Sequence, residues 1–327
     1  MKRLLAILLP LIALLCFASL VIGPADVGVA DSLRALVAGD EGPLTLVMRE
    51  IRLPRTILAA AIGASLGLAG AAMQGYLRNP LAEPGLIGVS GSAALGAVLS
   101  IQTGVSAAFA LALPLSALAG ALAAVLLLLA LAGPRGGSLT LILAGIAISA
   151  MAGALTSLVL NLSPNPFAAN EIVFWMMGSL ADRSMLHVWL ALPIMGLGWA
   201  MLLPLARPLG ALTLGEDAAA SMGINLSRLR WQVVLGTACV VGAGTAVAGA
   251  IGFVGLIVPH VLRPMVGARP GPLLLASALG GAAMLLAADI AVRMVLPGRD
   301  LKLGVLTALV GAPFFLHLVW RTGRSPE

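Results

Sequence analysis

Apolar residues run along this chain in long unbroken stretches rather than in alternation. No Asp, Glu, Lys or Arg occurs from Pro84 to Pro134, from Gly136 to Asn170, from Ser184 to Ala206 or from Pro270 to Ala288. A helix needs about 20 apolar residues to cross the hydrocarbon core of a bilayer, so each gap holds at least one crossing and the longest holds two. Backbone in lipid must satisfy its own hydrogen bonds, which leaves helices or a closed barrel. Barrel strands alternate in polarity over about ten residues. These runs are continuous and rich in Ala, Leu and Gly, so the pattern predicts an all-α, polytopic helix bundle within one domain, residues 1–327.

About ten transmembrane helices are predicted, over 4–22, 56–77, 87–103, 106–132, 139–161, 187–205, 231–249, 253–267, 272–294 and 304–321. A polar segment, 23–55, follows the first, and the breaker Gly133-Pro134-Arg135-Gly136-Gly137 ends the fourth. A short amphipathic piece is expected at 170–181, and a second polar segment, 206–230, precedes the seventh span. The start, Met1-Lys2-Arg3 before an apolar run, has the form of a signal peptide, but the spans after it favour an uncleaved first helix.

Composition agrees: 60% of residues are hydrophobic and only 10% are charged, against about 25% charged in soluble domains. The 39 glycines suit close helix–helix approach. Cys16 and Cys239 both lie in apolar runs and form no disulfide framework. Placing the N-terminus inside puts 11 of the 19 Lys and Arg residues in the cytoplasm, modest support from the positive-inside rule. The C-terminus then falls inside as well, and the arginines left outside form a surplus that topology alone does not explain.

Several chemistries are missing. A phosphate-cradling loop ends in Gly-Lys-Ser or Gly-Lys-Thr; the two lysines, Lys2 and Lys302, each lack a preceding Gly. An ion-coupled carrier buries ionisable groups near the bilayer midplane, and most of these spans have none. Asp289 and Arg293, four apart on one helix face, read either as an internal ion pair or as functional groups. The three histidines, His187, His260 and His317, are scattered without metal-ligand spacing. The chain is therefore expected to be no enzyme, to bind no cofactor or metal, and to take any driving energy from another subunit.

Two stretches then become recognisable. One is Ile51-Arg52-Leu53-Pro54-Arg55, continuing through Met73-Gln74-Gly75 to Asn79-Pro80-Leu81-Ala82-Glu83-Pro84-Gly85-Leu86-Ile87-Gly88-Val89; the other is Gly249-Ala250-Ile251-Gly252-Phe253-Val254-Gly255-Leu256-Ile257-Val258-Pro259-His260. With Phe174-Trp175-Met176-Met177-Gly178, Ala288-Asp289 with Arg293, and Gly311-Ala312-Pro313-Phe314, they closely resemble the permeases of iron-siderophore, haem and cobalamin ABC importers.

The resemblance implies a type II importer permease in the bacterial inner membrane, paired as a homodimer around a central path. It further implies two cytoplasmic ATPases that use ATP and Mg, a periplasmic binding protein, and a metal-chelate cargo, with no nucleic acid among the partners. Arg52, Arg55 and Arg293 match positions that dock the binding protein, with Arg49, Arg299 and Lys302 as weaker additions; a guanidinium fork meeting a carboxylate gives orientation and steering. Pro54 is expected to block a regular helix there and fix the spacing; the plainer alternative is that Arg52 and Arg55 pair with Glu50. Leu214, Gly215, Glu216, Asp217, Ala219, Ser221, Met222 and Gly223 resemble the loop that couples to the ATPase, with acids in a first turn and Gly223 placed to end the helix. Asn79 and Leu81 match the cytoplasmic gate, joined by Ser138. Met176 and Met177 read as packing or as path lining. Among cargoes a ferric siderophore is favoured on family breadth, with haem and cobalamin as alternatives. An ion-coupled secondary carrier is the reading of a different class.

Overall fold

The computed structural model describes residues 1–23, 28–37, 42–133, 137–295 and 301–322, and all regular structure among them is helical. α1 (Lys2–Val21) is followed by α2 (Val29–Val37) and α3 (Pro43–Leu46), which passes through a π-helical turn, Val47–Arg52, into α4 (Leu53–Leu77). A 3-10 turn, Pro84–Ile87, leads to α5 (Val89–Gln102), then α6 (Ala112–Ala132), α7 (Ser138–Asn161) and α8 (Pro166–Met176). Next come α9 (Met185–Leu202), α10 (Ala206–Leu212), α11 (Glu216–Ser221) and α12 (Leu226–Ala248). α13 (Val254–Leu262), α14 (Pro270–Val295) and α15 (Leu303–Thr322) complete the order.

Among the described residues, seven helical stretches are long and apolar enough to cross a membrane. Each of the ten expected spans has a helix, but two are much shorter than their apolar runs. The third span is the 14-residue α5 and the eighth is the nine-residue α13. Ahead of each of them, chain outside any α-helix turns into the bundle, at 81–88 and 249–253, where protein rather than lipid surrounds it. The sequence places both segments between spans, as found; their depth inside the bundle is what it does not disclose.

Pro54 does not break the helix. Its ring would clash with the carbonyl four residues back in a regular α-helix, and the wider π-helical turn over Val47–Arg52 removes that conflict, so α3 and α4 form one continuous stretch from Pro43 to Leu77.

Small residues set two close helix crossings. A Cβ on Gly63 would run into the carbonyl of Gly281, one on Gly281 into the carbonyl of Gly63, and one on Gly67 into the carbonyl of Ser277. Gly63/Gly67 on α4 and Ser277/Gly281 on α14 are thus two small-xxx-small faces in contact, the arrangement that lets backbones meet without a hydrophobic driving force. Ser92/Gly96 on α5 and Ser116/Gly120 on α6 repeat it, each glycine facing the opposite serine's carbonyl. α4 is consequently enclosed, and Trp199 of α9 closes it by donating its indole N–H to the buried Ser65 hydroxyl at 2.9 Å. α1 is part of the bundle: Leu4 and Leu8 are buried, and the Ser19 and Thr56 hydroxyls share a hydrogen bond of 2.8 Å.

Candidate functional site

At one end of the bundle the termini of α1, α4 and α14 meet in a polar cluster. Asp289, with no exposed surface, lies between two guanidinium groups. Arg55 reaches it with Nε at 2.9 and 3.1 Å from the two carboxylate oxygens and Nη2 at 2.8 Å; Arg293 approaches from one turn along α14 with Nη2 at 2.9 Å. The remaining donors face the end of α1, whose last carbonyls have no intrahelical partners. Arg52 Nη1 donates to the carbonyls of Leu20 and Val21, and Arg293 Nη1 to those of Ser19 and Ile22, at 2.7–2.9 Å. Cations at a helix C-terminus also complement its dipole. The i,i+4 pair of Asp289 and Arg293 is therefore real, but Arg55 also grips the same carboxylate, and Glu50 is not its partner.

The structure brings the three expected docking arginines together and turns two of them inward. Arg52 is 4% exposed and the Arg293 side chain 6%, because the carbonyls they satisfy lie inside; the Arg55 side chain is 17% exposed. Arg49 donates to the carbonyl of Leu36, and Lys302 stands 5.3 Å over the Phe174 ring. Arg299 lies outside the described residues.

The two recognised motifs meet deep in the bundle. Asn79 stays at the exposed end of α4, where its side-chain oxygen accepts the Leu81 N–H at 2.9 Å and Arg78 closes the helix with φ of 50°. From there the chain turns back inside. A Cβ on Gly255 would press on Pro84 and on the Leu66 carbonyl, and one on Gly70 would strike the carbonyl of Gly255. Leu66–Gly70 is about 10–17 Å from the Leu77 end of α4, at 1.5 Å per residue. At this depth Glu83 Oε1 accepts the backbone N–H of Phe253 at 2.8 Å. Phe253 has φ of 67°, a left-handed conformation costing a non-glycine residue about 1–3 kcal/mol. Its ring fills the space a side chain at Gly311 would need. Phe253, Met176, Met177, Ala308 and Ala312 line an apolar cavity of about 600 Å³ beside α15. The methionines are thus cavity lining, 36% and 37% exposed. Ser138 opens α7 without a side-chain cap; further along that helix Gly145 and Ile148 pack on Leu86–Gly88.

Sequence reasoning assigned Glu83 no role. Its signal was present, a single acid inside a quoted motif, but a loop assignment left it at the surface.

At the bundle end nearest Asn79, α10 and α11 form the expected pair of short helices. Glu216 and Asp217 occupy the first turn of α11. Gly223, with φ of 81°, ends it: the Ile224 N–H reaches the carbonyl of Ala219 and the Gly223 N–H that of Ala220, a Schellman closure. Ala219 is buried as the anchor, while Leu214 and Met222 are 69% and 53% exposed beside the two acids and Ser221. Gly215, at φ of 106°, makes the turn between the helices.

Comparison with known proteins agrees with this geometry. Residues 11–321 match the FecCD transport family. An ABC transporter permease protein of Bacillus subtilis, YvrB, described as uncharacterized, is 38% identical over 88% of this chain and 83% of its own length. The vitamin B12 import system permease BtuC of Escherichia coli O157:H7 is 39% identical over 85% of each chain. The cobalamin import permease BtuC of Halobacterium salinarum is 40% identical over 84% of this chain and 73% of its own. A solved inward-facing structure of a metal-chelate type ABC transporter superposes with a TM-score of 0.86 at 33% identity, covering 98% of this chain and all of that one. The family match runs over nearly the whole sequence, and this chain belongs to the FecCD transport family.

Proposed function

We propose that this chain is the permease subunit of an ATP-driven importer for a metal chelate, with a cobalamin-type corrinoid as the cargo. Membership of the transport family over residues 11–321 supports the permease role. The observation that carries the cargo is the 37–40% identity to cobalamin permeases from both bacteria and an archaeon. A cavity lined by methionine, phenylalanine and alanine suits a bulky ligand that must pass without being held by fixed polar partners. Ferric siderophores and haem are the competing cargoes.

In this reading two copies enclose the path, and the arginine end faces the periplasm of a bacterial inner membrane. Both termini are then cytoplasmic. A binding protein docks there, meeting Arg55 at its exposed edge, while Arg52 and Arg293 contribute by holding α1 in place. Leu214, Gly215, Glu216, Asp217, Ser221, Met222 and Gly223 present the surface that an ATPase grips, with Ala219 rooting it in the bundle. Asn79, Leu81 and Ser138 form the inner gate. Glu83 ties the gate segment to Phe253 and the cavity wall, so a shift of one displaces the other. The partners move the balance between the two states by no more than their differential affinity for them.

The test is uptake into proteoliposomes holding this chain, its ATPase and its binding protein. Radiolabelled cyanocobalamin should accumulate only with internal ATP. Uptake of a ferric siderophore or haem with none of the corrinoid would overturn the cargo assignment; uptake driven by a proton gradient without ATP would overturn the importer class.

A further inference from the structure

A second cavity, of about 440 Å³, opens at the arginine end of the bundle, between the α8–α9 turn, the α5–α6 connection and the start of α15. It is separate from the cavity beside Phe253 and unlike it in chemistry, since charged side chains line it. Arg183 Nε and Trp175 Nε1 are both buried and neither has a hydrogen-bond partner. No ion pair of Arg183 is found among the described residues, although its guanidinium is largely enclosed. A charge taken out of water without a partner costs several kcal/mol, and an unmade indole hydrogen bond adds to that. Burial lowers the Arg183 pKa, a shift that the neighbouring Asp182 offsets in part. Both orphaned groups are donors only, so each needs an acceptor, and an oxyanion reaching into the cavity supplies one to both.

The remaining lining narrows the ligand. Glu171 and Asp182 stand at the rim, exposed and in no ion pair with a described cation, and Lys302, over the Phe174 ring, and His187 complete the polar lining. Arg183 and Lys302 are offset by the two carboxylates, so the lining has no net positive charge to hold a multiply charged anion. The carboxylates suit a ligand that carries an ammonium close to its phosphate. The surroundings point to its source. Phe174, 55% exposed, lines the cavity, and Phe167 and Trp189, 81% and 69% exposed, lie on α8 and α9, the helices that flank the turn. Aromatic residues so placed mark the level of lipid headgroups.

We propose that this cavity is a phospholipid headgroup site of the phosphoethanolamine class, with the phosphodiester held by Arg183 and Trp175 and the ammonium by Asp182 and Glu171. The site is independent of the transported cargo. It would fix the α8–α9 turn, whose Gly178 and Ser179 bond the chain at Gly304 and Ala248, against the outer leaflet.

The purified chain is placed in nanodiscs of mixed phosphatidylethanolamine, phosphatidylglycerol and phosphatidylcholine, and retained lipid is read by native mass spectrometry. Arg183→Leu and Trp175→Phe are compared with wild type, the second keeping an aromatic of similar shape so that misfolding does not confound the result. Wild type should retain phosphatidylethanolamine over both other lipids. A lost charge-assisted hydrogen bond corresponds to roughly a tenfold or larger drop in retention for Arg183→Leu and a smaller one for Trp175→Phe. Soluble glycerophosphoethanolamine competing as well as the lipid would assign a free phosphodiester and overturn the membrane source. Equal retention by wild type and both variants, or no preference among the lipids, overturns the site.

Discussion

Replacing Asp289 by Asn tests the clamp at the arginine end most severely. The carboxylate receives four contacts of 2.8–3.1 Å from Arg55 and Arg293 and has no exposed surface. Asn keeps the volume and one acceptor oxygen, but turns an N–H₂ towards one of the guanidinium groups and deletes the only negative charge of the clamp. Removing one partner of a buried pair costs about 3–5 kcal/mol, because the other charge stays behind without compensation. Two arginines are left here, so the upper half of that range is expected. At 1.4 kcal/mol per factor of ten, the ratio of folded to unfolded chain should fall by a factor of at least several hundred under a fixed denaturing load. Denaturant titration in mild detergent, followed by intrinsic fluorescence, measures the shift. The double variant Asp289→Asn/Arg293→Leu provides the internal control. It deletes one of the two stranded charges, so it should be more stable than the sum of the two single changes by about 1–3 kcal/mol. A loss under about 0.5 kcal/mol for Asp289→Asn, or strict additivity in the double variant, would refute the reasoning.

Gly63→Ala should cost at least about 1–3 kcal/mol by forcing α4 and α14 apart, whereas Gly153→Ala on α7, with open space around it, should be neutral or slightly stabilising; thermal melts of the two side by side read the contrast. Glu83→Ala leaves the Phe253 N–H without its acceptor and should cost about 1–3 kcal/mol, while Glu83→Gln keeps an acceptor oxygen and should lose less than half of that; equal losses would show that the hydrogen bond is not what matters. Glu216→Lys/Asp217→Lys should abolish co-purification with the cognate ATPase while leaving the melting temperature of the isolated chain unchanged, since both side chains are solvent-facing. Retained association would remove α11 from the coupling surface.

How far the sequence disclosed this architecture depended on the kind of force involved. α6 and α7 were legible because an apolar run longer than a bilayer has one stable solution, and α11 because acids at its start and Gly223 after its end are local signals. The two re-entrant segments were legible as breaks between helices but not as buried ones, because a turn inside the bundle and a turn at its surface draw on the same residues. The inward turn of Arg52 and Arg293 was hidden for a different reason. Their acceptors are main-chain carbonyls at the end of α1, and a carbonyl leaves no mark in a sequence. Pro54 gave a true signal that was read too literally: the proline does disturb the regular helix, and the π-helical turn before it absorbs the disturbance. Glu83 shows the limit of counting charges by segment, since one acid in a turn gives no indication that the turn lies inside the bundle.

ATPase activity of the reconstituted complex, with and without the periplasmic binding protein, tests the central claim most directly. The chain is purified together with its cognate ATPase in lipid, and phosphate release is followed as the loaded binding protein is added. Stimulation by the binding protein, weakened in Arg55→Glu and lost in the α11 double variant, is the result expected of an importer permease. Failure of the folded chain to associate with any ATPase, or hydrolysis indifferent to the binding protein in every case, would contradict the account.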